Sequence, residues 1–299
     1  MAGATKSRLG RGGAARTRPA AKDPAWVRRL LIGIAVSFVF VFVALPLLLV
    51  FSEALKGGLG GYVAAITDEE TLHALGLTVL VVLVSIPLNV VFGIAAAWAI
   101  ARFDFPGKSF LVTLIDLPFA VSPVVSGMVF VLLLGARGVL GQYLEPYGIK
   151  IIFATPGLVI ATTFVTFPFV ARELIPFWQT QGAQEEEAAI TLGAGGLRVL
   201  RKVSLPAARY ALLYGVVLAS ARALGEFGAV SVVSGHIRGE TNTLPLHIEI
   251  LYGEYQMQAA FAVASLFALF GLVTLVAKWW LEKKSRLERE QTEEAAALR

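Results

Sequence analysis

The stretch EEEAAITLGAGGLRVLRKVSLP, residues 185–206, interrupts a chain that is otherwise strongly apolar. Its three glutamates fall in the first turn of a predicted helix, where acidic side chains complement the helix dipole. Gly193 follows at the position where a left-handed residue would end that helix. Apolar residues then repeat at helical spacing from Leu197 to Val203, and Pro206 suits the first position of the next span. The pattern predicts two short helices separated by a glycine break.

The composition of the remaining chain predicts a membrane protein. Its 299 residues are 57% hydrophobic and 16% charged, and the mean hydropathy is +0.72. This exceeds what a soluble domain needs to fill its core. There is no cysteine, and the three histidines are scattered, so the sequence indicates neither a disulfide framework nor a metal site. The net charge of +5 comes from basic residues at the ends and in short loops, which indicates membrane topology rather than nucleic-acid binding.

Six segments are long enough to cross a bilayer. The hydrocarbon core is about 30 Å thick and requires roughly 20 apolar residues in a helix. The segments are residues 30–52, 72–101, 110–134, 151–178, 206–233 and 258–281. Several contain prolines, and bends there are tolerated when neighbouring helices satisfy the freed carbonyl groups. We therefore predict an all-α integral membrane protein with six transmembrane helices in a tight bundle, the second capped by Thr67 or Asp68.

Lysine and arginine counts predict the orientation, because cytoplasmic loops carry the excess. The N-terminal tail, the 102–109 loop, the 179–205 loop and the C-terminal tail together hold 18 of these residues, and the opposite loops hold four. Both termini and the opening stretch should therefore be cytoplasmic.

Three regions are expected along the chain. Residues 1–29 are a basic tail, rich in glycine and alanine, that is predicted to be disordered; a transit peptide has a similar composition. Residues 30–281 form the six-span domain, with a core at about 72–281 and the charged loop at 179–206. Residues 282–299 form a second cytoplasmic tail.

Seven residues of the opening stretch follow the EAA motif, EAA-x3-G-x9-I-x-LP, with valine in place of isoleucine. They are Glu187, Ala188, Ala189, Gly193, Val203, Leu205 and Pro206. The stretch therefore resembles the coupling helix of type I ABC importer membrane subunits. The resemblance implies that it docks into a groove on a separate ATP-binding subunit and transmits that subunit's closing and opening to the membrane helices. The alternative is a solvated linker helix, but alanine and glycine favour close approach by another surface.

No motif indicates that the chain hydrolyses ATP or catalyses another reaction. The sequence GKS at residues 107–109 lacks the first glycine of a Walker A loop, since Arg102 stands there. No HExxH or GxSxG pattern is present. We expect a transporter subunit that is not an enzyme and binds no cofactor, with ATP and Mg²⁺ held by partner ATPase subunits.

Three further segments are similar to the sulfate/thiosulfate ABC permease, specifically its W-type membrane subunit. They are ARFDFPGKS, LIDLPFAVSPVVSG and RALGEFGAVSVVSGHIRGETNTLPLHIEILYGEY. The resemblance implies two ATP-binding subunits, a second, T-type permease subunit and an extracytoplasmic sulfate-binding protein, assembled in the lipid of a bacterial inner membrane. A molybdate or tungstate permease is the alternative, since it shares RALGEFGA-like and FPGK-like segments. An ion-coupled secondary carrier and an intramembrane enzyme are less favoured.

Two charges within the fifth span are candidates for the translocation path. Arg222 and Glu226 are four residues apart, which places both on one helix face, and charges at that depth usually face a bundle interior or a water-filled path. A structural ion pair is an equally good explanation. Asn89 and Asp116 are weaker candidates for the path or its gate. The histidines are predicted to be surface groups, and the external loop at residues 234–257 is the candidate contact for a binding protein.

Overall fold

The computed structural model describes the backbone of residues 24–297 and the side chains of residues 24–284. These residues form helices and no strand, which confirms the all-α prediction. In chain order the α-helices are α1 (Ala25–Val39), α2 (Leu45–Ala54), α3 (Gly58–Thr67), α4 (Glu69–Arg102), α5 (Lys108–Ala120), α6 (Pro123–Leu134), α7 (Gly141–Leu144), α8 (Thr155–Gln181), α9 (Gln184–Thr191), α10 (Gly196–Val199), α11 (Leu205–Ala207), α12 (Arg209–Leu224), α13 (Gly228–Ser234), α14 (Leu244–Gly253) and α15 (Met257–Ala297).

Two helices extend into the segments that the sequence predicts to be tails. Helix α1 begins at Ala25, inside the segment predicted to be a tail, and α15 continues to Ala297. The predicted disorder of residues 1–23 lies outside the described residues. The described residues up to Leu48 form one compact unit, and those from Leu49 to Ala297 form another. The helices that carry the candidate site all belong to the second unit.

Four helices of the described chain are long and apolar enough to cross a membrane, at Ala25–Ala54, Glu69–Arg102, Thr155–Gln181 and Met257–Lys284. Two bent pairs raise the number to six if each pair counts as one span. The two pairs overlap the predicted segments 110–134 and 206–233, and each pair contains a sharp bend.

The break in the third span lies between α5 and α6, whose axes differ by 108°. It occurs at Val121 and Ser122, directly before Pro123. Proline disfavours the helical conformation of the preceding residue, and its missing N–H is tolerated at the first position of a new helix. The sequence therefore ends one helix and begins another here.

The fifth span is interrupted twice. Helix α12 begins at Arg209, after a bend of 76° from the preceding short helices. The prediction that Pro206 opens this span is therefore wrong. Helix α12 ends at Leu224, and α13 resumes at Gly228, so residues 206–233 are not one helix.

Helices α4 and α8 pack along each other in the second unit, and α12 packs against both of them. Small residues allow this close approach. A Cβ atom on Gly93 of α4 would lie 2.7 Å from Cβ of Val170, and one on Gly215 of α12 would lie 3.1 Å from Cα of the same valine. The buried cluster around Val170 includes Ile86, Leu174 and Trp178.

The N-terminus of α4 is capped as the sequence predicts, by Asp68. Its carboxylate accepts hydrogen bonds from the backbone N–H groups of Glu70 and Thr71, at 3.1 and 3.4 Å. An aspartate at this position satisfies donors that have no partner within the helix. The cap fixes where the longest described helix of the central pair begins.

Candidate functional site

Residues 185–206 form the predicted helix, glycine break and second helix. The three acidic residues lie in the first turn of α9. Gly193 has a φ of +86°, and its backbone N–H donates to the carbonyl of Ile190 at 2.8 Å. The left-handed glycine predicted from the sequence is therefore present. The second helix is α10 and α11, joined by a π-helical turn at Leu200–Ser204.

The EAA residues lie mainly on the surface of this loop. Glu187, Ala188, Gly193 and Pro206 are exposed, whereas Ala189, Val203 and Leu205 are partly buried. Within residues 24–284 the carboxylate of Glu187 makes no side-chain ion pair, and the backbone carbonyl of Glu187 accepts a hydrogen bond from the hydroxyl of Thr191 at 2.8 Å. The motif presents backbone and small side chains at the surface.

Three large apolar side chains surround the glycine break and are exposed. Leu192 is 89% exposed, Leu197 is 68% exposed and Ile190 is 58% exposed. Exposed apolar residues at a loop that also carries charged and polar residues mark a surface suited to contact with another protein. We call Ile190, Leu192, Leu197 and Glu187 the coupling surface.

A partly buried arginine connects the loop at residues 185–206 to α4 and α8. Arg102, at the end of α4, donates through Nε and Nη2 to the two carboxylate oxygens of Glu186, at 2.6 and 2.9 Å. Its remaining hydrogen bonds go to the carbonyls of Trp178 and Gly182, at 2.7 and 2.8 Å. The Arg102 and Glu186 side chains are only 12% and 10% exposed. A bidentate pair of this geometry holds both partners in one orientation.

Ser204 extends this contact to the second helix of the loop. Its hydroxyl donates to Oε1 of Glu186 at 2.7 Å, and its carbonyl accepts from the indole N–H of Trp178 at 3.2 Å. The four residues Arg102, Trp178, Glu186 and Ser204, here named the Arg102 clamp, connect α4, α8, α9 and the π-helical turn before α12. Hydrogen bonds therefore tie α9 to α4, to α8 and to the segment before α12.

Sequence reasoning missed the Arg102 clamp. In the sequence, Arg102 is only a loop cation and the residue that breaks the Walker A spacing. Glu186 was considered only as one of three acidic residues in a first turn. The sequence does contain a signal for this contact. Arg102 directly follows a long apolar run, Glu186 is adjacent to the EAA motif, and both fall on the same predicted side of the membrane.

Arg222 and Glu226 form the ion pair that their spacing allows, but not on one helix. Arg222 Nη1 lies 2.7 Å from Oε2 of Glu226, although α12 ends at Leu224. Glu226 is buried, at 2% exposure, and Oε1 accepts from the backbone N–H of Ala229 at 2.8 Å. The glutamate thus caps the start of α13 while it neutralises Arg222.

The two interrupted spans meet beside this ion pair. A Cβ atom on Gly228 would lie 2.9 Å from Cβ of Pro123, and one on Gly127 would lie 2.8 Å from the carbonyl oxygen of Ala229. Helices α6 and α13 are therefore in close contact along small residues. Glu226 lies within the interruption that precedes α13.

The other two candidates have local partners. Asn89 is fully buried, and its amide donates to the hydroxyl of Thr166 at 2.6 Å. It therefore joins α4 to a side chain of α8. Asp116 lies 3.1 Å from Nε of Arg172, and both side chains are about half exposed. The guanidinium of Arg172 also lies 4.9 Å from the ring centroid of Phe119.

The segment at residues 234–257 is held by several hydrogen bonds and ion pairs. Ser234 and Thr241 exchange hydrogen bonds between hydroxyls and backbone carbonyls, each at 2.7 Å. Arg238 pairs with Glu70 at 3.1 Å and also with Glu254. The loop is therefore held closed by contacts within itself and to the start of α4.

The prediction that all three histidines are surface groups is wrong for His247. This residue of α14 is 1% exposed, and its Nε2 lies 3.0 Å from the hydroxyl of Thr71. Burial lowers the pKa of His247 below the ordinary value of 6.5, because a buried imidazolium loses its hydration. Helix α14 buries this side chain against α4, whereas the sequence predicts a surface loop here.

Comparison with known proteins identifies the family. Residues 89–287 match the family described as "Binding-protein-dependent transport system inner membrane component". The chain belongs to this family. It is 48% identical over 273 residues to the sulfate transport system permease protein CysW of Escherichia coli K12, covering 90% of the chain and 93% of that relative. It is 51% identical over 255 residues to CysW of Synechococcus elongatus, covering 85% of the chain and 89% of the relative.

The T-type subunit and a solved importer are also similar to this permease. The sulfate transport system permease protein CysT of Salmonella typhimurium is 36% identical over 246 residues, covering 82% of the chain and 89% of the relative. The crystal structure of a bacterial ABC transporter involved in alginate import aligns with a TM-score of 0.71 at 17% identity, covering 87% of this chain and 95% of that chain. The resemblance predicted from the sequence and the ABC importer fold are confirmed.

Proposed function

We propose that this permease is the W-type membrane subunit of an ATP-driven importer for sulfate or thiosulfate, and that it forms the translocation path with a T-type permease subunit. Relatives at 48% and 51% identity are named as sulfate transport system permeases. That likeness covers nearly the whole chain and supports the same substrate class.

The coupling surface is the proposed docking site for a separate ATP-binding subunit. Leu192 and Leu197 are exposed apolar side chains beside the exposed carboxylate of Glu187. Apolar residues supply contact area in a protein interface and a charged residue helps to fix its orientation. Two such subunits would bind ATP and Mg²⁺ and would hydrolyse the ATP, and this chain would hold no cofactor.

The Arg102 clamp is the observation that carries the proposed coupling. A docked subunit that closes would displace α9, and the bidentate bond from Glu186 to Arg102 would transfer that displacement to α4. The bonds to Trp178 and Ser204 would transfer it to α8 and to the segment before α12. Packed helices with two discrete arrangements convert such a small displacement into opening on one side of the membrane.

The proposed path passes beside Arg222 and Glu226. The pair lies where two interrupted spans meet, and broken helices line substrate sites in membrane transporters. An arginine fully neutralised by Glu226 would attract sulfate poorly. We therefore propose that the pair opens and reforms during transport and does not serve as a resting binding site. Asn89 and Asp116 would have positional roles at the α4–α8 and α5–α8 contacts.

The proposed orientation places both termini and the coupling surface in the cytoplasm of a bacterial cell, with the permease in its inner membrane. The distribution of lysine and arginine among the loops supports this orientation. The segment 234–257 would then face outward. Its ordered outer surface, including the exposed side chains of Tyr252 and Tyr255, would contact the extracytoplasmic sulfate-binding protein.

The experiment that tests the proposal is uptake of radiolabelled sulfate into proteoliposomes. The permease would be reconstituted with a T-type permease, an ATPase and a sulfate-binding protein from the same organism. We expect uptake only with ATP inside and binding protein outside, and competition by thiosulfate. Uptake driven by an ion gradient without the ATPase would instead establish a secondary carrier, and stronger competition by molybdate would establish the alternative substrate.

A matched pair of variants tests the docking surface in the same assay. Glu187→Lys reverses the charge of the EAA glutamate, whereas Glu185→Lys makes the same change at an exposed residue of α9 outside the motif. We expect the first to lose the co-purified ATPase and sulfate uptake, and the second to keep both. Equal behaviour of the two variants would contradict docking at this surface.

A further inference from the structure

The exposed side chains of α15 change along the helix from apolar to aromatic and then to positively charged. The apolar residues Leu272, Val273, Leu275 and Val276 are 40%, 65%, 60% and 62% exposed. Trp279 and Trp280 come next, at 59% and 54% exposure. Lys283 and Lys284 follow one turn later and are also exposed.

The two lysines are positioned against the two indole rings. Nζ of Lys283 lies 5.3 Å from the ring centroid of Trp279, and Nζ of Lys284 lies 5.1 Å from that of Trp280. Both pairs have the i, i+4 spacing that places side chains on the same helix face. Cation–π attraction holds each ammonium group beside a ring and leaves its N–H donors available.

The spacing along the helix matches the layers of a bilayer. At 1.5 Å per residue, Trp279 lies about 4.5 Å beyond Val276, and Lys283 about 6 Å beyond Trp279. The interfacial layer on each side of the hydrocarbon core is about 5–7 Å thick. With Val276 in hydrocarbon, the indole rings therefore lie at the interface and the ammonium groups reach the lipid phosphates.

We propose that Trp279, Trp280, Lys283 and Lys284 form a binding site for the headgroup of an anionic phospholipid. Two ammonium groups one residue apart favour a phosphate, and the indole rings contact the glycerol and upper acyl carbons of the same lipid. A zwitterionic headgroup carries its own cation, which the lysines repel, whereas a headgroup with net negative charge meets no such repulsion. The neighbouring Glu282 is exposed and leaves residues 282–284 with a net positive charge.

The opposite side of this turn is already occupied, which restricts the site to the outer face. Leu281 is 6% exposed, and Nζ of Lys278 lies 5.4 Å from the ring centroid of Tyr214 in α12. Among the side chains that the structure describes, Lys283 and Lys284 supply the positive charge on the outer face of this turn. The proposal does not depend on the transported substrate or on ATPase docking.

Quenching of tryptophan fluorescence by brominated lipids tests the site. The full-length permease would be placed in phosphatidylcholine nanodiscs that contain either brominated phosphatidylglycerol or brominated phosphatidylcholine at the same mole fraction. We expect stronger quenching by the anionic lipid. In Lys283→Gln/Lys284→Gln the relative association constant for the anionic lipid should fall by about fivefold per lysine. Trp279→Phe/Trp280→Phe identifies the part of the signal that these two rings contribute.

The control changes two exposed lysines elsewhere, Lys56→Gln and Lys150→Gln, and should retain the preference for the anionic lipid. Equal quenching by the two lipids in the unaltered protein, or an unchanged preference in the Lys283/Lys284 variant, would overturn the proposal. Absence of quenching at these two rings by either lipid would also overturn it, because a protein surface would then cover them.

Discussion

Replacement of Arg102 by alanine should loosen α9 from the membrane helices. The substitution removes the two hydrogen bonds to Glu186 and leaves that carboxylate, which is 10% exposed, without its cation. It also removes the bonds to the carbonyls of Trp178 and Gly182. The serine hydroxyl of Ser204 cannot neutralise the charge that remains. The residues of α9 should therefore open more often than in the unaltered protein.

The expected magnitude follows from the burial of the pair. Removal of one partner from a buried ion pair costs about 3–5 kcal/mol, and each 1.4 kcal/mol changes an equilibrium about tenfold. Hydrogen–deuterium exchange of the α9 amides, measured by mass spectrometry on the full-length protein, should therefore accelerate by about 100-fold or more. The combined variant Arg102→Met/Glu186→Met should lose much less, because no buried charge is left unpaired.

The control is Lys108→Ala, which removes an exposed ion pair with Asp104 on the loop after α4. Asp104 is fully exposed in that pair, so the substitution should change stability by less than about 1 kcal/mol. If Arg102→Ala accelerated exchange in α9 no more than Lys108→Ala does, the Arg102 clamp would not hold the loop. Equal effects of the single Arg102 and combined Met variants would likewise contradict the role of the unpaired carboxylate.

Three further predictions use other parts of the permease. Gly93→Ala should destabilise the fold by about 1–3 kcal/mol and so lower the thermal unfolding temperature, because its Cβ would lie 2.7 Å from a side chain of α8. The control Gly76→Ala on the same helix meets nothing within 4 Å and should stabilise the fold by about 1 kcal/mol. Burial lowers the pKa of His247 in the folded state, so the unfolded state binds more protons as the pH falls through the ordinary value of 6.5, and stability should decrease there. His247→Gln should reduce the difference between the thermal unfolding temperatures measured at about pH 7.5 and about pH 5.5. An unchanged difference would contradict this role of His247. Arg222→Met/Glu226→Gln retains an oxygen to cap α13 and should reduce sulfate uptake about tenfold or more in a fully assembled complex; normal uptake would exclude a role in the path.

The coupling loop could be predicted from the sequence because its signals are local. A left-handed glycine, acidic residues in a first turn and a proline after an apolar repeat each act within a few residues. The same locality made the cap at Asp68 predictable. The start of α12 at Arg209, three residues after Pro206, could not be predicted in this way, because local preferences do not determine the angle at which a short helix joins the next.

The Arg102 clamp and the interrupted spans depend on contacts between distant residues. Arg102 and Glu186 are separated by 84 positions, and hydropathy treats each as an isolated charge. The breaks before Pro123 and at residues 225–227 fall inside apolar runs that hydropathy reads as continuous. His247 was likewise read as a loop residue, because the sequence does not show that Thr71 lies opposite its ring.

The central claim is that the loop at residues 185–206 contacts a separate ATPase. The chain contains no cysteine, so Leu192→Cys, at a position that is 89% exposed, introduces a unique thiol. Leu59→Cys introduces one at a 75% exposed position in α3 as the control. With a short maleimide photocrosslinker in the assembled complex, the account predicts a crosslink from position 192 to the ATPase and none from position 59. A complex active in sulfate uptake that gave no crosslink at position 192 would contradict it.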